Sequence, residues 1–185
     1  MKSTHYLTGA ALASLLLIGG CNDNATDNAP TSEPAKEAAG KATLADGLGD
    51  ATKFAAAAKA SGLDGTLAGV GPYTLLIPSD AAFDKLPAGA LDALMKEDAR
   101  AELTGVLTYH ILPGTILTTD VAKAIEVGKG KTLLATMGGG TLTATKEGDA
   151  IIISDAAGTK ARISGADEQK SNGVIHRIDA VLMPS

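Results

Sequence analysis

Few residues in this chain have the chemistry to act as catalysts or ligands. There are three histidines and a single cysteine among 185 residues. Of the histidines, His110 and His176 lie in the body of the sequence, and His5 lies before the first apolar stretch. A hydrolase built on them would pair one imidazole with Asp179 or Asp80 and use Ser79 as nucleophile. The spacing gives no support, because there is neither a Gly-x-Ser-x-Gly turn nor a His-x-x-x-His helix. Alternation places His176 on one face with Val174 and Ile178, and His110 lies between Tyr109 and Ile111. Both read as core histidines hydrogen-bonded to backbone or hydroxyl groups. Gly138-Gly139-Gly140 lacks the strand, helix and lysine of a phosphate cradle and reads as a flexible hairpin connection. No catalytic residue, metal site or cofactor is expected.

Composition excludes further classes. Sixteen Lys and Arg stand against 21 Asp and Glu, a formal charge of -5, so the basic face that phosphate backbones require is missing. Nucleic acid is not an expected partner. Aromatic residues make up 3% of the chain and Trp is absent, so stacking platforms for sugars or bases are scarce. One thiol cannot form an internal disulfide.

The position of that thiol explains it. Lys2 gives a positive start, and the apolar run from Leu7 to Ile18 has the length of a signal-peptide core, short of a bilayer span. Ile18-Gly19-Gly20-Cys21 follows and resembles the lipobox of bacterial lipoproteins. The resemblance implies cleavage before Cys21 and its lipidation, for example with palmitate. Residues 1–20 are then a lipoprotein signal peptide. Residues 21–43 are the lipidated Cys and a disordered linker, rich in small polar residues with Pro30 and Pro34. A random coil of that length spans roughly 25 Å. The expected location is the cell envelope, lipid-anchored to a bacterial membrane, with the domain facing periplasm or extracellular space. Sequence leaves inner against outer membrane undecided.

Residues 44–185 form the folded region. Asp50 is the expected N-cap of a helix carrying Phe54, Ala57 and Ala58 and ending near Ser61-Gly62. Tyr73 to Ile77, between Gly71-Pro72 and Pro78, is a buried strand, and Ser79 or Asp80 caps the short helix after it. Leu91, Leu94, Met95, Ala99, Leu103, Val106 and Leu107 recur at spacings of three and four, one core-facing helical stripe. A short helix is expected from Thr119 or Asp120. Beyond it the period changes to strands, around Leu142 and Ala144, Ile151 to Ser154, Ala161 to Ile163, and Gly173 to Met183. Helices first and strands later predict an α+β domain.

Three segments together resemble the fasciclin (FAS1) domain family. Gly71 to Phe83 is similar to its first motif, Ser171 to Pro184 to its second, and Leu107-Thr108-Tyr109-His110-Ile111-Leu112-Pro113-Gly114 to its central Tyr-His segment. The resemblance implies a FAS1-like β-sandwich or wedge with helices packed at one side. It also implies a non-enzymatic binding or adhesion module that meets cell-surface or matrix proteins or glycans. Tyr109 and His110 are the partner-binding candidates it carries over. Two other functions remain open at this stage: a hydrolase or metal-dependent enzyme using His110 and His176, and a carrier of a small apolar ligand.

Overall fold

The computed structural model describes residues 41–184. The signal peptide, Cys21 and nearly all of the linker therefore lie outside the described residues. In chain order come α1 (Thr52–Ser61), α2 (Asp64–Ala68), β1 (Tyr73–Pro78), α3 (Asp80–Phe83), α4 (Ala90–Leu94), α5 (Arg100–Tyr109) and β2 (Ile111–Pro113). After them come α6 (Thr118–Val127), β3 (Lys131–Ala135), β4 (Thr141–Glu147), β5 (Ala150–Ser154), β6 (Lys160–Lys170) and β7 (Gly173–Ile178). The seven strands form one sheet in the order β2-β1-β7-β6-β5-β4-β3. All neighbours are antiparallel except β1 and β7, which run parallel from Tyr73 opposite Gly173 to Pro78 opposite Ile178. The α+β wedge is as the sequence implied, with α1 to α5 packed on one side and α6 closing the core on the other.

The β1 strand shows why its sequence is a continuous apolar run. Leu75 and Ile77 face a core filled by Phe54, Ala57 and Ala58 of α1, Leu67 of α2, Phe83 of α3 and Leu103, Val106 and Leu107 of α5. Leu76 faces a second core, built from Leu142, Ala144, Ile153, Ala161 and Ile178 of the sheet and closed by Val121 and Ile125 of α6. A strand buried on both faces has no polar positions to alternate with.

Two helical expectations need correction. The stripe from Leu91 to Leu107 is broken: α4 ends at Leu94, Lys96 is extended (φ -70°, ψ 149°), and a single 3-10 turn leads into α5. Met95, counted in the stripe, is exposed. Asp50 does not cap α1. Its carboxylate pairs with Arg177 at 2.7 Å, and the N-terminal groups of α1 are met from elsewhere: Asp80 accepts from the Lys53 amide at 3.0 Å and from the Thr52 hydroxyl. Ser79 caps α3, accepting from the Ala82 amide at 3.2 Å. The Ser79-Asp80 pair thus starts two helices, one local and one 28 residues upstream. The strand expected over Gly173 to Met183 ends at Ile178.

Candidate functional site

The chemistry-bearing residues fall into three groups, each used to tie elements together. The first surrounds His110, the residue that ends α5. Its Nδ1 lies 2.8 Å from the Val106 carbonyl oxygen, which only accepts, so Nδ1 carries the proton. Its Nε2 then accepts from the Leu182 amide at 3.1 Å. Both ring nitrogens are committed, and the ring meets Phe54 edge-on at 6.2 Å between centroids. The side chain is 1% exposed, and burial lowers its pKa from 6.5 to about 4, against the smaller opposing pull of the Val106 carbonyl and of Asp155. His110 is a neutral clamp between a helix end and the C-terminal segment. Asp155, which nothing in the sequence singled out, clamps the same segment: its two oxygens accept from the Thr159 amide at 2.8 Å and the Met183 amide at 3.0 Å.

The second group surrounds His176 on β7. Its Nε2 donates to the Ile116 carbonyl at 2.7 Å, and its Nδ1 stands 3.2 Å from Asp167 Oδ1. Neither of those two facing atoms has a hydrogen-bond partner. The second oxygen of Asp167 accepts from the Thr118 amide at 3.0 Å, at the start of α6. An aspartate orienting an imidazole is half of a charge-relay arrangement. Here the far ring nitrogen is spent on a backbone carbonyl. The Thr74 hydroxyl, in the same lining, donates to the Gly114 carbonyl and accepts from the Ile116 amide, both at 2.8 Å. The space beside His176 is a void of about 10 Å³, room for one water at most. The carboxylates that sequence offered as partners are engaged elsewhere, Asp80 at α1 and Asp179 on the Arg162 amide at 2.7 Å. His110 and His176 share no hydrogen-bond partner, and no group of three His, Cys, Asp or Glu among the described residues is arranged to hold a metal.

The third group is Tyr109 and the three glycines. Tyr109 is 2% exposed, its hydroxyl reaches the Thr141 carbonyl at 3.3 Å, and burial pushes the phenol pKa up. The turn between β3 and β4 lies directly on it. The Gly138 amide donates to the Thr108 carbonyl at 3.1 Å, and the Met137 amide to the Ile111 carbonyl at 2.8 Å. A Cβ on Gly140 would stand 2.3 Å from the Tyr109 ring. The hairpin reading of these glycines holds, but what they provide is close approach to α5 and not looseness. Tyr109 and His110 are both inside the molecule, with no surface of their own to offer.

The sequence missed Asp155 and Asp167. Asp167 sits in the polar stretch Gly165 to Gln169, where β6 departs from regular register against β7 between Ser164 and Glu168. The bulge turns that side chain inward, and only a bulge could have flagged it.

The sequence model described as Fasciclin domain matches residues 49–184. Protein sll1483 of Synechocystis sp. is 37% identical over 130 residues, covering 70% of this chain and 64% of that protein. The cell surface glycolipoprotein MPB83 of Mycobacterium bovis is 32% identical over 114 residues, covering 62% of this chain and 44% of its own length. A solved FAS1 domain pair from the insect cell adhesion molecule fasciclin I superposes with a TM-score of 0.67 at 19% identity, covering 76% of this chain and 50% of that one. The matched stretch is less than two thirds of each of these relatives.

Proposed function

This chain belongs to the fasciclin domain family, and from that premise we propose that it is a membrane-anchored, extracytoplasmic binding and adhesion module without enzymatic activity. The observation that carries the proposal is the use of both histidines: three of the four ring nitrogens hold backbone groups of separate elements and the fourth faces a buried oxygen of Asp167. A general base needs a lone pair open to substrate, and neither imidazole offers one. The carrier reading would need a ligand-sized cavity beside the sheet, where the void is of the order of a single water. Partners are cell-surface or matrix proteins or glycans.

The anchor is the lipid on Cys21, with the linker through Thr43 holding the domain off the membrane. Support comes from the lipobox-like Ile18-Gly19-Gly20-Cys21 and from a relative that is itself a cell surface glycolipoprotein. More than one acyl chain makes such attachment persistent. Tyr109 and His110 act for the partner indirectly, by fixing the β3–β4 turn and the C-terminal segment.

Two experiments test these parts separately. Radiolabelled palmitate enters the wild type and not Cys21→Ala; equal labelling of both removes the anchor. Hydrolase and metal-dependent assays on the purified full chain give no turnover that is lost in His176→Gln; such turnover replaces the binding reading with an enzyme.

A further inference from the structure

Resting on the binding-module reading, we infer that the outward face of strands β3 to β6 is the partner-docking surface, and that its partner is a polysaccharide bearing carboxylates. The strand registers lay this face out. Lys131, Thr145, Ile152 and Arg162 stand opposite one another in one row across the four strands, and Leu133, Thr143, Ser154 and Lys160 form the next row. Opposed residues point to the same side of a sheet. The intervening Leu142, Ala144, Ile153 and Ala161 fill the second core, so both rows face away from it. Leu133 is 67% exposed, and Lys131, Lys160 and Arg162 are exposed with it, which leaves the face open to solvent.

In a chain of formal charge -5, these two rows hold three cations and no carboxylate. Glu147 beside them pairs with Lys160 at 3.0 Å, and Asp179 accepts from the Arg162 amide at 2.7 Å. Lys131 and Arg162 make no side-chain ion pair among the described residues. They end one row, about 14 Å apart over three strand spacings. Beside that row Thr141, Thr143 and Thr145 line the same side of β4, about 6.8 Å from one to the next. Thr74, Thr108 and Thr136 spend their hydroxyls inside the fold, whereas these three make no such bond among the described residues. Unspent hydroxyls between separated cations suit a chain of ring hydroxyls with acids spaced along it. The two rows hold no aromatic ring, so a neutral sugar or a base finds no stacking platform and charge makes the selection. A peptide would need a groove or an open strand edge, and a sheet face offers neither. Exposed contacts are individually weak, so affinity grows with the number of sugar units engaged.

The test is an NMR titration of full-length Cys21→Ala protein with a six-unit oligogalacturonate, and with the same oligomer after its carboxyl groups are reduced to alcohols. The expected result is saturable shifts confined to β3, β4, β5 and the first half of β6, at least tenfold tighter for the acidic oligomer. Lys131→Gln combined with Arg162→Gln abolishes them, and Thr143→Val weakens binding at least threefold while the remaining spectrum is unchanged. Lys146→Gln removes an equal charge from β4, at a position opposite Ile151 of the second core, and leaves binding as in wild type. No binding, equal binding of both oligomers, shifts elsewhere, or an equal loss in Lys146→Gln and Lys131→Gln overturns the inference. Binding of phosphatidylserine vesicles through these residues, without binding of the oligomer, makes a membrane the occupant and overturns it as well. Attachment assays keep this separate from the function itself. If cells with the double Gln variant adhere like wild type while cells lacking the protein do not, the docking face fails and the adhesion reading stands. If cells lacking the protein adhere normally, the adhesion reading fails whatever the oligomer does.

Discussion

Gly140 has no room for a side chain because the ring of Tyr109 lies where its Cβ would be, 2.3 Å from the Cε2 atom. Tyr109 is buried and also hydrogen-bonded to Thr141, the first residue of β4, so the ring cannot swing away without vacating the core. Gly140→Ala is therefore expected to destabilise the domain by about 1–3 kcal/mol, the usual cost of overpacking. Chemical denaturation at neutral pH measures it. An unchanged midpoint would mean that the turn lifts freely and that Tyr109 does not set its position.

His110 predicts a stability change in the acid range. Its folded pKa of about 4 is below the ordinary 6.5, so between those values the unfolded chain binds a proton that the folded chain refuses. Stability then rises with pH through this window and falls as pH drops from 6.5 toward 4, by about 3 kcal/mol in total from this residue. Denaturation midpoints taken across the window in wild type and His110→Gln separate this from other groups. The variant is less stable at pH 7 but has a shallower slope.

Asp80 acts with the opposite sign. Hydrogen bonds from the Thr52 hydroxyl and then the Lys53 amide hold its carboxyl below the ordinary 3.8, so its contribution is present above that value and is lost as pH falls through the lowered one. Asp80→Ala is expected to weaken the domain at pH 7, to fray α1 at Thr52 and Lys53, and to lose less stability than wild type on acidification to pH 3. Hydrogen exchange at the Lys53 amide reads the fraying directly.

Asn172 anchors the start of the domain. Its side-chain oxygen accepts from the Leu44 amide at 2.8 Å, and its amide nitrogen donates to the Leu67 and Gly69 carbonyls, each at 2.8 Å. Asn172→Asp replaces the donor with a second acceptor facing two carbonyls in a buried place. A loss of about 3 kcal/mol is expected, since the carbonyls stay unsatisfied and a charge is buried without a partner. A loss under about 1 kcal/mol in thermal or chemical unfolding would show that water reaches the site.

Much of the architecture was legible because the sequence marks it locally. Tyr73 to Ile77 declared a buried strand by its apolar run between prolines, and Ser79 declared the helix after it. What could not be read depends on contacts distant in sequence. Asp50 looks like a cap from its position alone, but the cap of α1 comes from Asp80 and Asp50 goes to Arg177. β2 is three residues ending in proline, and β3 alternates half-buried with exposed positions in only five residues, too short to stand out. The break at Lys96 leaves apolar spacing unchanged on either side. For the candidate site, the core placement of His176 followed from alternation and that of His110 from its place between Tyr109 and Ile111, whereas Asp155 and Asp167 became visible only once the β5–β6 turn and the β6 bulge brought them inward.

The central claim, that this is an anchored adhesion module, is tested most directly by attachment. Cells lacking the protein are compared with the same cells carrying the wild-type or the Cys21→Ala form, on several surfaces and in biofilm. Attachment is expected to fall on at least one surface and to be restored by wild type and not by Cys21→Ala. Undiminished attachment of the cells lacking the protein, on every surface, would contradict it.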